Sequence, residues 1–266
     1  MKKRKRIPPG VYDTKYLLSD YLEGYEQFKE EKLSVVKTRQ LNMLKLGPGL
    51  TFLEVGIGRG EVLLHCARTG AKVAGIDYSE DAIHIARELM KEYPDADIQL
   101  ADCSSLPYED SRFDRVFSGD VIEHLDYFDA IRMLEEMKRL LKPAGFMLVH
   151  TSPNTVWSKM IYPVGKPFLK MLDKKTVEQI DNHIREGRKM HVYEHNLLSL
   201  RRVAREAGLR NARVWLDPDI LRQGKHRFTS AFSGNFLVRR IVALGTIPLV
   251  RFCLSNDLWL EWHKPT

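Results

Sequence analysis

Cysteine is scarce in this chain: Cys66, Cys103 and Cys253 are the only three among 266 residues. They lie far apart and form no paired spacing. That excludes a disulfide-stapled scaffold and a cysteine metal centre, and it implies a reducing compartment, read here as the cytoplasm. No stretch reaches the ~20 uncharged apolar residues that a helix needs to span a bilayer. The nearest approach, Ile241 to Leu254, contains Pro248 and Arg251 and follows Arg239-Arg240. Its length suits a pocket cover or an element lying in a membrane interface. Internal repeats and low-complexity tracts are absent. No apolar run follows the basic Lys2-Lys3-Arg4-Lys5-Arg6, so it reads as a solvated tail or a contact for an anionic membrane or nucleic acid, not as a signal peptide.

What is present suits one well-filled core. The chain is 44% apolar with a formal charge of +7, consistent with a single domain carrying embellishments. Residues 1–46 read as a basic tail and a helical N-terminal segment with Tyr12, Tyr16, Tyr21 and Tyr25. Within it, Glu26 to Leu46 has apolar residues at helical spacing and stops at Gly47-Pro48-Gly49. Residues 47–266 read as the main domain. Strands are expected at Leu50–Val55, Lys72–Asp77, Ile98–Asp102, Phe113–Ser118 and Phe146–Thr151. Helices are expected at Glu61–Thr69, Glu80–Tyr93 and Phe128–Leu141. This alternation predicts an α/β, Rossmann-like, doubly wound parallel sheet. The pattern loosens at about 153–195, read as a lid-like insertion. It resumes with a helix Asn196–Ala207 and a strand near Ala212–Leu216. A second irregular insertion covers about 217–254, and a last strand is expected at Asp257–Trp262.

The chemistry starts at residues 51–60, Thr-Phe-Leu-Glu-Val-Gly-Ile-Gly-Arg-Gly. An apolar strand containing Glu54 runs into Gly56, Gly58 and Gly60, and residues without Cβ let a backbone pack against a ligand. A second strand ends in Asp77. Together these make a half-site for an adenosine nucleoside. A pyrophosphate-binding loop reads G-x-G-x-x-G; here the glycines read G-x-G-x-G behind a carboxylate. Glu54 would repel a pyrophosphate and suits a cationic ligand such as S-adenosylmethionine.

These residues resemble the class I S-adenosylmethionine-dependent methyltransferases. The resemblance is carried by Glu54–Gly60, Gly75-Ile-Asp77-Tyr-Ser79, Ala101-Asp102-Cys103, the block Phe113–Leu125 and Leu140–Gly145. It implies a seven-stranded sheet with an antiparallel last strand. It further implies that Asp77 binds the ribose hydroxyls and that Tyr78 lies against the adenine. Asp102 would accept from the adenine amino group beside the Cys103 backbone, while Ser118 and Gly119 line the methionine half. No lowered-pKa setting surrounds Cys103, so it is not read as a nucleophile.

The acceptor is less legible. No Asp/Asn-Pro-Pro-Tyr follows strand four, against an amino-methylating DNA enzyme, and no Pro-Cys follows strand four or five, against covalent methylation of a pyrimidine. The Val-Ile-Glu-His-Leu block resembles the small-molecule branch, including ubiquinone-biosynthesis-type O-methyltransferases. In that branch an acid-x-x-Glu-His cluster can hold a divalent metal. Asp120, Glu123 and His124 have that spacing, although no resident metal is expected. Transfer to a hydroxyl needs alignment and a proton acceptor. His191 is the first choice for that base, followed by His195 and His124. The aromatic N-terminal segment resembles enzymes of glycan or lipid-linked sugar biosynthesis. The expected function is therefore O-methylation of a small molecule, sugar or lipid-linked acceptor, with peripheral membrane contact. Two alternatives stay open: an RNA methyltransferase using Arg185, Arg188, Lys189, Arg201, Arg202 and Arg205, or a non-catalytic module that binds the cofactor.

Overall fold

A computed structural model describes residues 6–19, 22, 24–217, 240 and 255–266. Lys2–Lys5, Tyr21, Cys253 and almost all of the 217–254 insertion, including the apolar Ile241–Leu254, lie outside the described residues. The strands are β1 (Thr51–Val55), β2 (Lys72–Asp77), β3 (Asp97–Leu100), β4 (Phe113–Gly119), β5 (Leu141–Thr151), β6 (Arg213–Leu216) and β7 (Leu258–His263). The helices are α1 (Thr14–Leu17), α2 (Tyr25–Lys29), α3 (Val35–Leu44), α4 (Glu61–Ala67), α5 (Glu80–Leu89), α6 (Tyr127–Leu140), α7 (Tyr162–Leu172), α8 (Lys174–Met190) and α9 (Leu197–Glu206).

The seven strands form one sheet in the order β3-β2-β1-β4-β5-β7-β6. β1 pairs in parallel with β2 and β4, and β7 runs antiparallel between β5 and β6. The expected seven-stranded sheet with an antiparallel last strand is thus the observed one. The strand order reverses between β1 and β4, which opens a crevice at the carboxyl ends of the strands.

Local sequence explains where the helices start. Ser79 accepts a hydrogen bond from Ala82 N at the head of α5, with Glu80 and Asp81 in its first turn. Asp126 caps α6 through Phe128 N and Asp129 N, and Asn196 forms a capping box with Ser199 at α9. Each such cap is worth about 1 kcal/mol. α6 and α9 cover one sheet face with Met133, Leu134, Met137, Leu200 and Val203. The other face carries Leu44, Leu63, Leu64 and Ala86 from α3, α4 and α5. β7 is buried on both sides, sending Leu258 and Leu260 to the first layer and Trp259 to the second. That two-sided burial is why its sequence is a near-continuous apolar run.

Three readings change. The periodic stretch from Glu26 to Leu46 is two helices, not one. Glu31 takes a left-handed turn at φ 51°, and Ser34 then caps α3 by accepting from Lys37 N. β5 begins at Leu141, so the strand already includes Pro143-Ala144-Gly145 and absorbs Ala144 at φ 60°. The segment that looked irregular is largely helical. A π-helical turn at Trp157–Ile161 runs into α7, and α8 follows. α7 and α8 are joined by buried Tyr162 and Ile180, with Trp157 stacked on Tyr162 at 5.3 Å.

Candidate active site

The crevice holds a cavity of about 580 Å³ reached by the loops after β1, β2 and β4, by the N-terminal segment and by α8. At its first end lies the glycine loop. Gly56 has φ 81°, and a Cβ there would meet Val121 Cγ2 at 2.3 Å, so only glycine allows this turn to pass under the β4 loop. A Cβ on Gly58 would meet nothing within 4 Å, because the cavity lies beside it. Gly60 starts α4 in a left-handed conformation.

Two acids face this end. Asp77 accepts from Gly58 N (3.0 Å) and Ser79 N (3.0 Å), which fixes the carboxylate across the loop. Burial raises its pKa against those hydrogen bonds. Glu54 is 4% exposed, and its Oε2 has no hydrogen-bond partner. Burial pushes its pKa well above the ordinary value, although Lys37 opposes the shift. Lys37 is already paired to Glu61, which Arg59 also holds. A buried carboxylate with one oxygen unpaired beside a cavity is suited to an incoming cation.

The N-terminal segment roofs the cavity. Arg6 bridges Asp102 (2.9 Å) and Asp129 (2.8 Å). Tyr78 donates to Ile7 O, Ser79 Oγ donates to Tyr12 O, and the Tyr12 and Tyr78 rings lie 5.5 Å apart. Asp102 lines the cavity, but one oxygen holds Arg6 and the other accepts from Ser104 N and Oγ. Cys103 also lines it, and burial pushes its thiol up to about 12, so it is no nucleophile. Gly119 reaches the cavity. Ser118 is fully buried, with its hydroxyl on Val55 O.

The other end carries Glu123, His124 and His191, one ligand atom of each lying within 4.8 Å of the others. Asp120 does not join them. It turns to His150 (3.0 Å), which also meets Asp257 (3.1 Å). Burial opposes charge on His150, but these two carboxylates outweigh it and raise its pKa. Glu123 is pushed up to about 8, first by burial and then by Asp120.

The histidines separate by environment. His195 is fully buried against the Tyr193 ring and does not line the cavity. His191 contacts Glu194 at 3.2 Å, and burial, which opposes its charge, is outweighed by that bond and by nearby acids. His124 is lowered to about 4 by burial and by His191. Its Nδ1 lies 2.9 Å from Tyr12 Oη and 3.1 Å from Met190 O. A carbonyl only accepts, so Nδ1 carries the hydrogen and Nε2 keeps its lone pair.

Sequence reading missed Tyr12, Arg6, Glu194, His150 and Asp257. Tyr12 stood in a segment already marked as aromatic. His150 and Asp257 are 107 residues apart and have no local signature.

Residues 53–149 match the family described as "Methyltransferase domain". Over 124 residues the chain is 30% identical to the sterol 4-C-methyltransferase strm-1 of Caenorhabditis elegans, covering 46% of this chain and 36% of that protein. It is 28% identical over 158 residues to a demethylmenaquinone methyltransferase of Bacillus licheniformis, covering 58% and 66%. The chain thus spans less than two thirds of either relative. In fold it is similar to the geranyl diphosphate C-methyltransferase of Streptomyces coelicolor A3(2), solved with Mg²⁺, geranyl diphosphate and S-adenosyl-L-homocysteine. That likeness has a TM-score of 0.58 at 16% identity and covers 95% of this chain and 88% of that one. With its glycine turn, strand-end acids and seven-stranded sheet, the chain carries a class I S-adenosylmethionine-dependent methyltransferase domain.

Proposed function

We propose that the protein methylates a hydroxyl oxygen on a small, largely apolar or lipid-linked acceptor. The supporting observation is a single cavity with two unlike ends: a buried carboxylate with one unpaired oxygen beside a glycine loop, and a neutral histidine whose Nε2 keeps its lone pair. S-adenosylmethionine supplies an activated methyl group. In this reading Glu54 receives its ammonium group, Asp77 its ribose, and Tyr78, Asp102 and the Cys103 backbone its adenine. Gly119 flanks the methionine half, and the buried Ser118 supports it from behind through Val55 O. These residues orient the donor, and alignment is the main requirement of an in-line displacement.

His124 takes the acceptor proton at Nε2. The imidazolium then formed is held at Nδ1 by Met190 O and Tyr12 Oη. Trp157, Pro153 and Ile184 line the cavity beyond it and favour an apolar acceptor body. The named relatives act on sterol and demethylmenaquinone, which agrees with an acceptor of that kind. Peripheral contact with a membrane belongs to the same reading. Among the described residues no helix is long and apolar enough to cross one.

Calorimetry at several pH values tests the donor half. The free Glu54 carboxyl is raised, so it is protonated in a window above its ordinary pKa. A cationic ligand favours the ionised form. S-adenosylmethionine binding should therefore tighten as pH rises through that window, with release of up to one proton. Glu54→Gln should abolish the proton release and weaken binding by about 2 kcal/mol. Buffer-independent binding enthalpies, unchanged in the variant, would remove the assignment. Labelled-methyl transfer into the lipid fraction of a lysate, rather than its RNA or polar fraction, tests the acceptor half.

A further inference from the structure

Beside the main cavity, α7 and α8 enclose a second cleft of about 610 Å³. Four cations line it, Lys166, Arg185, Arg188 and Lys189, against one carboxylate, Asp181. The grouping follows from helix geometry: Asp181, Arg185 and Lys189 are spaced by four on α8, and Ile184 and Arg188 likewise, so they share one side. Lys166 is held by Asp181 at 2.9 Å and Lys189 by Glu186 at 2.6 Å. Arg185 contacts Asn182 at 2.6 Å and Glu186 at 3.8 Å. No described carboxylate lies within 4.0 Å of Arg188.

A separate observation points to a ligand. Ser158 is 3% exposed, and its hydroxyl has no hydrogen-bond partner. It lines this cleft and the main cavity, as do Ile184 and Arg188. The two spaces therefore adjoin, with these three side chains on the border between them. An oxyanion in the cleft would accept from the stranded hydroxyl and from the Arg188 fork, whose donors match the geometry of phosphate oxygens. Arg201 and Arg202 of α9 are engaged elsewhere, with Val214 O and Glu206, so the cations at this cleft form a compact cluster and not a track for a nucleic-acid backbone.

We propose that the α7–α8 cleft is a phosphoryl-binding subsite. It would hold a phosphate or diphosphate of the acceptor while the rest of that molecule passes Ile184 toward His124. The inference builds on the reading of the main cavity as the acceptor chamber. The shared chemistry has two sources, a lipid-borne phosphate or a free phosphorylated small molecule.

Calorimetry of the full chain with inorganic pyrophosphate and with octyl phosphate below its micelle concentration distinguishes them. Arg188→Ala should weaken both at least tenfold and Ser158→Ala about threefold. Lys91→Ala, remote from the cleft, should change neither. Octyl phosphate binding tenfold tighter than pyrophosphate assigns a lipid-borne acceptor; equal or weaker binding assigns a free one. S-adenosylmethionine titrated into the same variants should bind as in the parent protein, which checks the fold. Failure of that titration in the parent protein would count against the methyltransferase reading and leave the anion result interpretable. Unchanged anion binding in both Arg188→Ala and Ser158→Ala overturns the subsite. So does a short RNA that outcompetes both probes and loses its affinity in Arg201→Ala.

Discussion

His124 and His191 face each other with ring centroids 5.1 Å apart, yet they hold protons differently. The carboxylate of Glu194 keeps His191 charged above the usual imidazole range, and that charge in turn helps hold His124 at about 4. Only the neutral form of a base accepts a proton, so the two residues predict different pH profiles. With His124 as base, turnover is constant through neutrality and is lost as pH falls through about 4. With His191 as base, it would rise above pH 6.5. A pH profile of kcat reads the difference directly. His124→Ala should lower kcat by about 10²-fold or more. Tyr12→Phe should lower it about fivefold, the loss of one orienting hydrogen bond, with cofactor affinity unchanged. Sequence reading named His191 first, then His195 and His124; the structure brings His191 and His124 to the cavity and leaves His195 outside it. The ranking turns on Glu194, Met190 O and Tyr12, and only the last two touch His124.

At the scale of the element, α7 presents an unusual surface. Met160, just before it, and Val164, Phe168 and Met171 are exposed by 62, 83, 55 and 85%. Their spacing of four, four and three keeps them on one side of a helix. Lys159, Lys166, Lys170 and Lys174 lie around this stripe in sequence. An apolar stripe with basic flanks fits an anionic bilayer surface. Vesicles rich in phosphatidylglycerol should sediment the protein, and pure phosphatidylcholine should do so weakly. Val164→Glu combined with Phe168→Glu should reduce binding at least tenfold, since each side chain contributes about 1.5–3 kcal/mol when buried. Equal binding by the double variant would show that α7 is not the contact. This element was hard to read from sequence because Pro163 and Pro167 argue against a helix, and its apolar face points outward. The glycine turn, the capped α5 and α6 and the buried strands were legible because their signals are local and agree with one another.

At the scale of the whole molecule, the sheet was readable and the completed site was not. Each parallel strand announces itself over a few residues. The site instead joins Arg6 to Asp129, Tyr12 to His124 and His150 to Asp257, pairs with more than 100 residues between them. No window of sequence carries such a pairing. It arises because the N-terminal segment folds back over the crevice while β7 inserts beside β5.

That fold-back bears on how long a ligand stays. The roof is fastened by Arg6, a half-exposed guanidinium, and by a few hydrogen bonds, whereas the floor beneath it is the sheet itself. Ligand residence time should therefore be set by the fastening and not by the floor. The Arg6–Asp102 pair, exposed at both ends, is worth about 1 kcal/mol, and the bond to the buried Asp129 adds to it, so Arg6→Ala should speed S-adenosylhomocysteine dissociation at least fivefold in stopped flow. An unchanged off-rate would mean that the ligand leaves without disturbing that fastening.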